Sequence, residues 1–155
     1  MKSWLRNLLI ILGIVVSTYI LTSHIFFHYI VIGNSMYPTL KDGQFGFGVS
    51  TTFNIKEPER FDIVVIRYKG MDIVKRVIGL PNDEIEYIDN KLYINGEETT
   101  EAYINIGVET NDFEIKLDNS EYFCMGDNRE HSQDSRELGP FSKDDIKAIL
   151  FKGGK

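Results

Sequence analysis

An almost unbroken apolar run from Leu8 to Phe27 constrains this chain more than any other feature. Its roughly 20 residues are what a helix needs to cross ~30 Å of hydrocarbon. No Asp, Glu, Lys or Arg lies inside it. Lys2 and Arg6 precede the run, and the next Lys or Arg is Lys41. By the positive-inside rule the N-terminus is cytoplasmic and the chain beyond the run lies outside. His24, His28 and Tyr29 then fall near the headgroups. A cleaved signal peptide is the rival reading. No A-x-A-like site comes after the run, and the run is longer than a usual signal core, which favours an uncleaved anchor. The expected organisation is a cytoplasmic terminus (1–7), a transmembrane anchor (8–28) and an extracytoplasmic domain (29–155).

Beyond the anchor the period of the sequence changes. Phe61–Tyr68 and Asp72–Gly79 are short and rich in β-branched residues. Glu84–Ile88 and Lys91–Ile94 alternate polar and apolar, as half-buried strands do. Gly70, Asp89-Asn90 and Asn95-Gly96 are turn signals between these runs. Phe113–Leu117 and Tyr122–Met125 are further strand candidates. Ser142-Lys143-Asp144-Asp145 could open a helical turn as a cap or serve as a strand-flanking turn. These features predict a mostly antiparallel β-domain on one transmembrane helix. At 155 residues the chain has room for one domain with a real core.

Composition narrows the function. With 17 Lys+Arg against 23 Asp+Glu the net charge is −6, which argues against non-specific binding of nucleic acid. Cys124 is the single cysteine, so an internal disulfide or a cysteine-based zinc site is excluded. Its setting, Tyr122-Phe123-Cys124-Met125, reads as buried strand.

Gly33-Asn34-Ser35-Met36-Tyr37-Pro38 comes soon after the apolar run. The irregular backbone it implies exposes the Ser35 hydroxyl, which can be a nucleophile only beside a base. Alone, the segment reads more readily as a turn or cap. His24 and His28 belong to the membrane segment. His131 lies in a polar loop, where a triad with Asp127 or Asp134 is conceivable but has no local signature. Lys75 stands in a mostly apolar strand and shares a face with Ile73 and Val77, while Val74, Arg76 and Ile78 share the other. Burial would lower its pKa, with Arg76 adding repulsion. Serving as a base at neutral pH requires a drop of roughly three units, about 4 kcal/mol. A Lys snorkelling to solvent fits the same pattern.

Taken together, four ordered segments resemble the type I signal peptidases, in the compact form found in Gram-positive bacteria. Gly33–Leu40 resembles the nucleophile box, and Phe61–Arg67 the strand after it. Asp72–Asp83 resembles the lysine box. Met125–Gly139, with Gly126-Asp127-Asn128-Arg129 and Ser132-Gln133-Asp134-Ser135-Arg136, resembles the last box. The resemblance implies a signal-peptidase/LexA-like β fold. It also implies a membrane-bound serine endopeptidase that removes signal peptides from exported preproteins, after small residues of the Ala-x-Ala type. Ser35 would be the nucleophile, Lys75 the general base and Ser132 the residue orienting the lysine. Val31, Met36, Leu40 and Val74 would line the pockets. Asp127, Arg129, Asp134 and Arg136 would brace the site. The substrate would add as a strand. Metal and cofactor are not called for. The partners implied are preproteins, the lipid bilayer and export machinery nearby, with no nucleic acid. Gly33 departs from branches that carry a serine there, which leaves the Ser35 N–H and another donor to hold the oxyanion. The rivals are a serine–lysine autoprotease like the LexA-type repressors, and a membrane-tethered peptide-binding module without catalysis.

Overall fold

A computed structural model describes residues 3–51, 56–104 and 107–151. Helix α1 spans Ser3–Ile25, 23 residues, or about 35 Å at 1.5 Å per residue. The chain then turns directly into strand β1, Phe26–Ile30. The helix thus ends before the expected 8–28 span does, and Phe26–His28 are extended. The reason is pairing: β1 lies antiparallel to β2, Phe45–Ser50, with His28 opposite Phe47. The side chains of Ile20, Leu21, Ser23 and His24 lie outside the described residues, and with them the headgroup reading of His24. Among the described residues no helix is long and apolar enough to cross a membrane. Tyr29, also expected at the headgroups, is instead buried in the core.

The remaining strands are β3 (Ile63–Tyr68), β4 (Met71–Gly79), β5 (Glu84–Ile88), β6 (Lys91–Ile94), β7 (Glu97–Thr99), β8 (Phe113–Lys116), β9 (Glu121–Met125), β10 (Phe141–Ser142) and β11 (Ile146–Leu150). A one-turn helix, α2, spans Ser135–Leu138. Seven strands form one sheet in the order β1-β2-β11-β3-β4-β9-β10, and four form a second in the order β7-β6-β5-β8. The pairings of both sheets are antiparallel.

Turn chemistry explains the hairpins. Lys69-Gly70, Asp89-Asn90 and Asn95-Gly96 all adopt positive φ at both positions, the backbone that two-residue hairpin turns demand. Ser142 and Asp145 close a reciprocal capping box around a single helical turn.

Strands β1, β2, β7, β10 and β11 carry weaker sequence signals. In β2, Phe-Gly-Phe-Gly-Val-Ser, glycine disfavours a strand. Here it permits close approach: a Cβ on Gly46 would fall 2.3 Å from the Tyr29 hydroxyl, and one on Gly48 2.5 Å from the Ile149 carbonyl. Strand β11 is buried on both faces save Lys147, so it shows no alternation.

Three apolar clusters hold the domain. Tyr29, Val31, Met36, Leu40, Ile63 and Val65 form one. Val64, Val77 and Cys124 belong to a second, and Ile78, Tyr87 and Met125 to a third. Cys124 is fully buried, and burial pushes its thiol well above the ordinary range.

Candidate active site

Strand β1 leads into a tight loop. Gly33 sits at φ +88° with its N–H on Asp42 Oδ1 at 2.7 Å. Val31 N–H donates to Gln44 O and Gly43 N–H to Val31 O, both at 2.9 Å. This closure sets Ser35 beside the middle of β4. Lys75 Nζ lies 2.9 Å from Ser35 Oγ. Lys75 is 3% exposed. Burial, the largest influence, lowers its pKa; Asp134 pulls it back up, and Arg136 pushes it down again. The repulsion expected from Arg76 comes from Arg136 instead.

Arg76 is 1% exposed, deeper than Lys75. Its Nε and Nη2 grip Asp127 at 2.8 and 2.6 Å, and its Nη1 donates to Phe61 O at 2.9 Å. Thr39, later in the serine loop, donates its hydroxyl to the same Asp127 carboxylate. The lysine strand, the serine loop and the last box thus meet on one buried carboxylate. This role of Arg76 is absent from the alternation argument, which considers which face a residue shares and not which charge must neutralise it. A second cation in an apolar strand is the available signal, since a buried charge needs a partner.

The last box builds a second knot. Arg129 pairs with Glu101, and its Nη1 also bonds Tyr87 Oη at 3.1 Å. Its Nε donates to Gly126 O at 3.1 Å, and Asp134 Oδ2 accepts from Gly126 N–H at 2.9 Å. Arg136 Nε and Nη2 hold Asp134 at 2.8 and 2.9 Å. Burial alone would raise the Asp134 carboxyl, but the bonds from Arg136 and Gly126 outweigh it and hold it below the ordinary range. Gly126 is therefore clamped at both its N–H and its carbonyl. A Cβ there would fall 2.1 Å from Ser132 Oγ and 2.6 Å from Ser35 O, so only glycine lets the last box abut the serine loop.

Ser132 lies in this same neighbourhood, but its hydroxyl makes no hydrogen bond to Lys75. It is buried and forms no well-aligned hydrogen bond among the described residues. It does lie close enough to Asp134 to help hold that carboxyl down. Val31, Met36 and Val74 line a cleft of about 350 Å³ beside Ser35 and Lys75, with Tyr29 and Val65. Leu40 does not line it. Its N–H bonds back to Met36 O at 2.9 Å, and its side chain packs in the core, 2% exposed. His131 is exposed, its Nδ1 3.3 Å from Asn128 Oδ1. The described residues contain no cluster of His, Cys, Asp or Glu that could hold a metal.

Among protein-family models, that of signal peptidase, peptidase S26, matches residues 1–151. Signal peptidase I S of Bacillus subtilis is 40% identical over 144 residues, covering 85% of this chain and 78% of that protein. Signal peptidase I of Bacillus licheniformis is 39% identical over 153 residues, covering 90% and 81%. A crystal structure of a signal peptidase I from Enterococcus faecalis superposes with a TM-score of 0.58 at 34% identity, covering 63% of this chain and 99% of that one.

Proposed function

The chain belongs to the signal peptidase family, peptidase S26, and on that premise we propose that Ser35 and Lys75 carry out its removal of signal peptides from exported preproteins. The observation that carries this reading is the 2.9 Å contact between Lys75 Nζ and Ser35 Oγ, made by a buried lysine whose pKa is lowered. A protonated lysine donates across that contact. Once neutral, the amine accepts the serine proton instead.

Neutral Lys75 takes the proton as Ser35 Oγ attacks the scissile carbonyl. The proton passes to the leaving amine as the acyl-enzyme forms. Lys75 then removes a proton from water, whose oxygen attacks the ester and restores the Ser35 hydroxyl. The Ser35 N–H is one donor to the oxyanion. The small apolar cleft along Val31, Met36 and Val74 favours small side chains before the cut. The edge of β1 and β4 that borders it suits an extended substrate.

Location rests on apolar surface. Helix α1 exposes Leu8, Ile11 and Ile14 at more than half their area, an arrangement that needs cover. Phe26, Ile30, Ile32, Phe45 and Phe47 continue the exposed apolar surface onto the β-domain beside the helix end. These residues support a single N-terminal anchor and a domain resting on the bilayer, and Lys2 and Arg6 before the apolar run support placing that domain outside. The test is cleavage of a preprotein with N-terminal sequencing of the product. Ser35→Ala and Lys75→Ala should each abolish turnover; near-normal cleavage by either would refute the pair.

A further inference from the structure

One residue holds the peptide that carries the oxyanion donor. Asn128 donates its backbone N–H to Ser35 O at 3.0 Å. Its side-chain Nδ2 donates to Asn34 O at 3.1 Å. The same Asn34 carbonyl accepts from Tyr37 N–H at 3.1 Å. On its other side, Asn128 O accepts from His131 N–H at 3.0 Å, and Asn128 Oδ1 faces His131 Nδ1 at 3.3 Å. An Nδ1–H tautomer of His131 donates to that oxygen and leaves Nδ2 turned toward Asn34.

The Asn34 carbonyl and the Ser35 N–H belong to one planar trans peptide, so they point in opposite directions. Fixing the carbonyl fixes the N–H. A bond accepted at the carbonyl also polarises the amide and strengthens the N–H as a donor. The Ser35 N–H itself makes no hydrogen bond among the described residues, so it is free for a substrate oxygen. Gly33, at φ +88°, offers no hydroxyl to share the task.

Resting on the reading of Ser35 as nucleophile, we propose that Asn128 is a positioning residue for the oxyanion hole. It grips the peptides on both sides of the Ser35 Cα and aims the Ser35 N–H at the developing negative charge. His131 orients the Asn128 amide.

The experiment measures kcat and KM with a signal-peptide-derived substrate for Asn128→Ala, Asn128→Asp and Ser35→Ala, across pH. Both Asn128 variants should lose kcat by roughly tenfold, the value of one such hydrogen bond, with KM within twofold of the parent. The aspartate keeps the volume and the backbone bonds but cannot donate, so it should be no better than alanine. It also decides the matter should the alanine variant melt early. The pH midpoint should stay put, because Asn128 does not touch Lys75. Capture of a peptide boronic acid ending in alanine, which forms a tetrahedral adduct on serine, should weaken in proportion to kcat. Parent-like kcat in the aspartate variant, or a loss that travels with a moved pH midpoint, overturns the assignment. An active Ser35→Ala would instead remove the nucleophile reading beneath it.

Discussion

At the scale of single residues the proposed chemistry turns on one proton. Lys75 pays for its position, because burial disfavours the cation and lowers the pKa. Activity should therefore rise with pH as Lys75 becomes neutral, with a midpoint below the ordinary lysine value of 10.5. A pH–kcat profile checks this, and a flat alkaline limb would contradict it. The same shift predicts a stability effect. Between the lowered pKa and 10.5 the unfolded chain binds the extra proton, so stability rises with pH through that window. Lys75→Met should be inactive yet melt at higher temperature. Its gain over the parent should be full on the acid side of the window and vanish above about 10.5. Parallel melts of parent and variant across pH would read this directly.

At the scale of elements, β4 does two jobs. Its middle delivers Lys75 to the serine loop, and the next residue locks the strand to the last box through Arg76 and Asp127. Both partners of that ion pair are 1% exposed, so removing one strands a buried charge. Asp127→Ala should destabilise the domain by about 3–5 kcal/mol, measured by urea unfolding. A cost below about 1 kcal/mol would show that water reaches Arg76 readily.

The same element shows how far a sequence reaches. Alternation within Ile73–Ile78 correctly separates Ile73 and Val77 from Val74 and Ile78, which pack in different clusters. It does not anticipate Arg76 as the more buried cation. A period reports which face a side chain shares, whereas the Arg76 partner lies 51 positions away. The resemblance implies Leu40 at the pocket. Its side chain packs in the core instead, and no local pattern announces that burial.

At the scale of the whole molecule, α1 and the outer faces of β1 and β2 form one apolar surface beside the cleft. Removing residues 3–25 should leave the sheets folded, since the helix packs chiefly on the first two strands. The remaining Phe26, Ile30, Phe45 and Phe47 should still carry the shortened domain onto lipid vesicles. Flotation is the measurement. Replacing Phe45 and Phe47 by Ser, both more than half exposed, should lower the bound fraction several-fold without loss of fold. Binding unaffected by that pair would remove these strands from the proposed membrane face.

The sequence by itself determined the apolar run, the turn residues and most strands of the sheets, because each depends on residues within a few positions. It also determined the order of the serine, lysine and last boxes, and with it the family resemblance. Only the tertiary structure decided that Ser35 Oγ and Lys75 Nζ, 40 positions apart, meet at 2.9 Å. It alone revealed the buried carboxylate that joins all three boxes, the buried Ser132 hydroxyl without a hydrogen bond to Lys75, and the Asn128 grip on the Ser35 backbone. These depend on sheet register and on the close approach that Gly126 allows. Such contacts form between segments whose sequences carry no record of their separation in space.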